Sequence, residues 1–138
     1  MGMMLDENRI ILNISSIPKE QFRCYSMEII TSSISREELS SMAGHFFGYM
    51  VKAVVDLRRG IMGIDAELHA DIERYLMEDG SQQANLWGIN PYPDEKGEEF
   101  IEFDSIINIR PHQDNPSRDV LDSGIREQIS ALVNKLVK

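Results

Sequence analysis

The sequence predicts an α+β domain: an antiparallel sheet of four or five strands with three helices, mostly on one face. Three observations lead there. Short β-rich runs recur between turn residues. Three other stretches carry apolar residues at helical spacing. The connections are mostly short, which suits antiparallel neighbours, because parallel strands need long crossovers.

Taken in order, the well-patterned sequence starts at Met27 with the short strand "MEIITSS". "SREELSSMAGHFFG" follows as a helix. Ser35 and Glu38 form an S-x-x-E capping box, Leu39, Met42, Ala43, Phe46 and Phe47 recur at helical spacing, and Gly48 is the stop. "YMVKAVVDLRRGIMGID" reads as two strands around a turn ending at Gly60. Val51, Ala53, Val55 and Leu57 share a face of the first, opposite Lys52 and Asp56. "LHADIERYLMEDG" puts Leu68, Ile72, Tyr75 and Leu76 on one helical face and ends at Gly80. "NLWGINPYP" is a strand stopped by Pro91 and Pro93. "EEFIEFDSIINIR" alternates like a long strand, with Asp104, Asn108 and Arg110 on one face. After the polar loop "PHQDNPSRDVLDSG", a last helix over about 124–137 buries Ile125, Ile129, Leu132, Val133 and Leu136.

Length and composition bound the function. A chain of 138 residues makes one domain, 27–138, preceded by a poorly patterned segment 1–26 that reads as an extension or the product of an upstream start site. Its 42% hydrophobic and 27% charged content is that of a globular protein. No apolar run is long enough to span a bilayer, and the N-terminus lacks the basic start of a signal peptide. A single cysteine, Cys24, cannot form an internal disulfide. A cytoplasmic protein without a membrane segment is expected.

The net charge of −9 is concentrated. Residues 61–104 hold twelve acids against Arg74 and Lys96, whereas the flanking segments are nearly balanced. Such a block repels phosphate backbones, so nucleic acid is an unfavoured partner; a basic protein or another copy of the chain suits it better.

"DAELHAD", 65–71, alternates metal-ligating and proton-transfer groups. They converge only if extended, yet Ile72, Tyr75 and Leu76 require a helix from near residue 68. A strand end, a junction at Glu67 and a helix start at His69 fit better, with acids favoured at the helix's first turn. The functional alternative is an oxygen-rich divalent metal site using Glu67, His69 and Asp104. Along the 101–110 run, a carboxylate, an amide and a guanidinium (Asp104, Asn108, Arg110) are suited to a small polar ligand, with Arg110 as anion contact. Core packing accounts for Trp87, while Tyr92, between two prolines, is the better exposed contact. No phosphate loop, nucleophile elbow or dinucleotide fingerprint is present.

"MVKAVVD" (50–56), "ELHAD" (67–71), "LWGIN" with "YP" (86–93) and "IEFDSIINIRP" (101–111) together resemble a family of short prokaryotic proteins known only as a domain of unknown function. The resemblance spans about Met27 to Lys138. In that family two glycines often precede "ELHAD", where this chain has Asp65 and Ala66. It implies no activity, but it draws Asn90 and Asp71 into consideration beside Glu67, His69, Asp104, Asn108 and Arg110.

The leading expectation is a small binding or interaction domain, self-associating, with a polar ligand site where Glu67–Asp71 meets the Asp104–Arg110 run and Asn90. The alternatives are a divalent-metal-dependent hydrolase built on Glu67, His69 and Asp104, and an acidic regulatory partner of a basic protein. Whether the chain is an enzyme stays open at this point, and a divalent metal is the one cofactor suggested.

Overall fold

The computed structural model describes residues 3–5, 9–12 and 26–138; Cys24 and the rest of the first 25 residues lie outside them. The strands are β1 (Met3–Leu5), β2 (Arg9–Leu12), β3 (Glu28–Ile30), β4 (Ala53–Asp56), β5 (Ile61–Ile64), β6 (Leu86–Pro91) and β7 (Ile101–Glu102). The helices are α1 (Arg36–Ala43), α2 (His69–Glu78) and α3 (Ser123–Leu136). All strand pairs are antiparallel, in the order β1-β2-β3-β5-β4-β6-β7. The α+β class stands, with five strands inside 27–138 and two more joining through β2, where Arg9 lies opposite Ile30.

Local signals explain the elements. In the α1 capping box the Glu38 N–H donates to Ser35 Oγ (3.0 Å) and the Ser35 N–H to Glu38 Oε1 (3.4 Å). α1 ends at Ala43, not Phe47. The chain turns through 44–48, closed by a bond from the Gly48 N–H to the Ala43 carbonyl (2.6 Å). Gly60, at φ 68°, makes the β4–β5 turn, and the buried Asp56 carboxylate ties that turn down by accepting from the Arg58 and Arg59 N–H groups.

The sheet is covered on both sides. α1 and α3 share one face, where Leu39, Ile129, Val133 and Leu136 pack on Val55, Met62, Trp87 and Ile89. α2 takes the other, with Ile72 and Leu76 on Ile29, Val54 and Leu86. Neighbouring residues of β4 therefore serve different cores, Val54 one and Val55 the other. Leu68, expected on the buried face of α2, precedes the helix and is 41% exposed.

Two glycines flank Val54 in one row of the sheet. Val54 pairs with Gly63 on one side and Gly88 on the other. A Cβ on Gly63 would lie 2.5 Å from Ile72 Cγ2, and one on Gly88 would lie 2.6 Å from Ser105. Glycine at these positions lets α2 and the 105–108 segment approach the backbone closely.

The long strand expected over 101–110 does not form. β7 stops at Glu102, and Ile106–Asn108 and Pro111–Gln113 are single 3-10 turns. The apolar alternation is real, but Ser105 caps the first turn by accepting from the Ile107 N–H (3.3 Å). Asp104, Asn108 and Arg110 therefore do not share a strand face.

A candidate ligand groove at the start of α2

The first residues of α2 overhang one end of the sheet. Val51 N–H donates to the Pro91 carbonyl (3.0 Å), one step past the Ala53–Ile89 pair, so Lys52 lies opposite Asn90. Asn90 in turn pairs with Glu102. Lys52, Asn90 and Glu102 thus form a row across β4, β6 and β7, on the face that α2 covers. Above it is a groove of about 530 Å³, whose lining includes His69, Asp104, Arg118, Tyr49 and Tyr92.

His69 is buried, and its Nε2–H donates to the Ile89 carbonyl (2.8 Å). A carbonyl can only accept, which fixes the tautomer and leaves the lone pair on Nδ1. Burial pushes the imidazole down to about 4, with the positive charge of Lys52 adding to the effect, so it is neutral at pH 7. Asn90, 3% exposed, donates through Nδ2 to Glu102 Oε1 (2.9 Å) and the Asp104 carbonyl (3.0 Å). Its Oδ1 is buried and has no partner among the described residues. Such an acceptor costs about 1–3 kcal/mol when left unpaired. Tyr92 donates to Glu102 Oε1 (3.2 Å); burial, then the adjacent carboxylate, raises its phenol. Its ring stacks on Tyr49 with centroids 5.9 Å apart. Arg118 Nε donates to Asp104 Oδ1 (2.7 Å). Lys52 Nζ sits 5.2 Å from the Phe47 ring centroid, and no carboxylate among the described residues pairs with it.

Of the sequence candidates, His69, Asn90 and Asp104 meet in this groove. Glu67 is exposed at the junction and does not line it. Among the described residues no group of three or more His, Cys, Asp or Glu could hold a metal ion, so Glu67, His69 and Asp104 are not assembled as ligands. Asn108, fully buried, holds the edge of β6: its Oδ1 accepts from the Gly88 N–H (2.8 Å) and its Nδ2 donates to the Gly88 carbonyl (2.9 Å). Arg110 is 3% exposed, bonded to the Ile107 carbonyl and to Glu73 (3.4 Å), with its guanidinium 5.0 Å from the Trp87 ring centroid. Burial lowers its pKa, partly offset by Glu73. Both are packed into the fold, away from the groove.

Asp65 has a separate role. At φ 73° it holds a backbone conformation that favours glycine. Its carboxylate bonds His45 Nδ1 (2.6 Å); burial raises its pKa, with His45 opposing. The acidic block is not a bare face either, because Asp79, Glu73 and Asp104 pair with Arg59, Arg110 and Arg118.

Lys52, Tyr49, Glu102 and Arg118 were missed at the sequence level. The register is the signal that finds two of them: once β4, β6 and β7 are paired, Lys52 faces Asn90 and Asn90 faces Glu102, whereas Tyr49 and Arg118 lie on no strand.

The fold and groove together define a small α+β domain, with a polar cleft where a helix N-terminus meets the end of an antiparallel sheet. The chain belongs to the family described as "Protein of unknown function (DUF5674)", whose pattern matches residues 28–136. No curated protein and no solved structure matches it. Among the described residues no helix is long and apolar enough to cross a membrane.

Proposed function

We propose that this chain is a binding domain for a small polar molecule, seated in the groove between the start of α2 and the Lys52–Asn90–Glu102 row. One observation carries the reading: Asn90 Oδ1, buried and without a partner among the described residues, in a residue that lines the groove. Buried acceptors are nearly always satisfied, and a ligand donor would satisfy this one after a small side-chain shift in the wall. The exposed apolar rim supports the same reading, since Tyr49, Leu68 and Ile106 are 60%, 41% and 68% exposed around one opening.

The test is a melting-temperature screen of the full chain against a library of polar metabolites, repeated on Tyr49→Ala and Ile106→Glu. Both side chains are exposed, so the fold should survive the substitutions. Compounds that stabilise the wild type and lose their effect in both variants are the expected result. No stabilising compound, or binders indifferent to both substitutions, would remove the groove from consideration.

A further inference from the structure

Resting on that binding reading, the geometry points to a free α-amino acid with an apolar or aromatic side chain, bound as its zwitterion. The groove divides its polar groups by type along the row. At the β4 end stands a donor, the Lys52 ammonium, held beside the Phe47 ring but not neutralised by any described carboxylate. The start of α2 adds to this end. Leu68 offers no side-chain cap, and His69 and Ala70, the first two residues of the helix, line the groove. N–H groups in that position have no intrahelical acceptor and favour a carboxylate.

From Asn90 on β6 across to β7 stand acceptors, with the Arg118 guanidinium beside them, bound to Asp104 Oδ1. Asn90 Oδ1 has no described partner, and no described residue donates to Glu102 Oε2, Asp104 Oδ2 or His69 Nδ1. The first three are oxygen acceptors, two of them on carboxylates, which favours an ammonium over a neutral donor. Neighbouring strands lie about 4.8 Å apart, so Asn90 on β6 stands one step from Lys52 and Glu102 on β7 stands two. Two opposite charges on one carbon match the first step, with the ammonium at Asn90 Oδ1 and the Glu102 carboxylate behind it. A phosphate compound would meet the Glu102 carboxylate and an Arg118 already engaged by Asp104, a bare amine or metal cation would leave Lys52 repelled, and a neutral molecule would answer neither charge. The third substituent of the carbon then lies toward Tyr49, Tyr92, Leu68 and Ile106, which form an apolar and aromatic opening.

The experiment is calorimetric titration of the full chain with L-phenylalanine and L-leucine, and with three analogues of phenylalanine. Phenethylamine lacks the carboxylate, 3-phenylpropionate lacks the ammonium, and phenyl phosphate exchanges the zwitterion for an anion. Phenylalanine or leucine should bind, and each single-charge analogue should bind roughly tenfold to a hundredfold more weakly than phenylalanine, the worth of one charge-assisted contact. Lys52→Gln should erase the advantage of phenylalanine over phenethylamine, and Glu102→Gln should reduce its advantage over 3-phenylpropionate. Unchanged circular dichroism would verify the fold of both variants; if Lys52→Gln does not fold, the analogue series on the wild type still decides. An anion binding as tightly as phenylalanine overturns the zwitterion. Failure of both amino acids overturns this inference alone if the metabolite screen yields other groove ligands, and an empty screen overturns the binding reading as well.

Discussion

At the scale of single residues, His69 couples stability to pH. The folded protein holds it near 4, against a value of 6.5 for a free side chain. Between those values the unfolded chain takes up a proton that the folded chain refuses, so stability falls as the pH drops from 6.5 toward 4. Each full unit is worth about 1.4 kcal/mol, which gives a loss of roughly 3 kcal/mol by pH 4. His69→Gln keeps a donor for the Ile89 carbonyl but has nothing to protonate. Its urea-unfolding free energy should therefore be flatter than the wild type's over this window. A slope identical to the wild type's would put the acid sensitivity elsewhere. The residue itself was readable from the sequence; its role was not. "ELHAD" offers a histidine beside acids, whereas the fold places its ring against a backbone carbonyl, and that partner arrives from β6 twenty residues on.

At the scale of elements, legibility followed the range of the interactions. The α1 capping box and the Ile72–Leu76 and Ile129–Val133–Leu136 stripes are local and lie where the pattern puts them, whereas Leu68 falls outside α2. The 101–110 run is ambiguous in sequence because its alternation is the same in a strand and in a turn anchored from outside. What decides it is the Asn108 side chain, which gives Gly88 the donor and the acceptor that a neighbouring strand would supply. Asn115 backs it, donating to the Asn108 carbonyl (2.7 Å) and accepting from the Leu121 N–H (2.9 Å). Asn108→Ala would leave the Gly88 N–H and carbonyl buried without these partners, at about 1–3 kcal/mol each. Chemical denaturation should show a loss of several kcal/mol, with exchange of the Gly88 amide accelerated first. A loss under about 1 kcal/mol would mean that water or a shifted loop replaces the side chain.

At the scale of the whole molecule, the two cores share one set of central strands, and this predicts cooperative unfolding. Val54 and Val55 are consecutive, so neither face can lose its packing without disturbing the strand that carries the other. Ile72→Ala on the α2 side and Val133→Ala on the α1–α3 side should each lower one common transition, by about 2–4 kcal/mol for the isoleucine and less for the valine. Trp87, the single tryptophan, belongs to the α1–α3 side and reports it by fluorescence, while far-ultraviolet dichroism reports the whole. The two signals should coincide in every variant. Separate midpoints for Ile72→Ala would show that the α2 layer melts by itself. The class could be read from composition and pattern; that β1 and β2 join the sheet could not. The division into two faces could not, because the sequence shows which side of a helix is apolar but not which side of the sheet receives it.

The amide clip at Gly88 also bears on how copies of this chain can meet. β7 pairs with only the last two residues of β6, which would leave the rest of that strand as an open template for another backbone. An asparagine side chain occupies the hydrogen-bonding groups of Gly88 and cannot itself be extended by a further strand, so it closes the border against edge-to-edge aggregation.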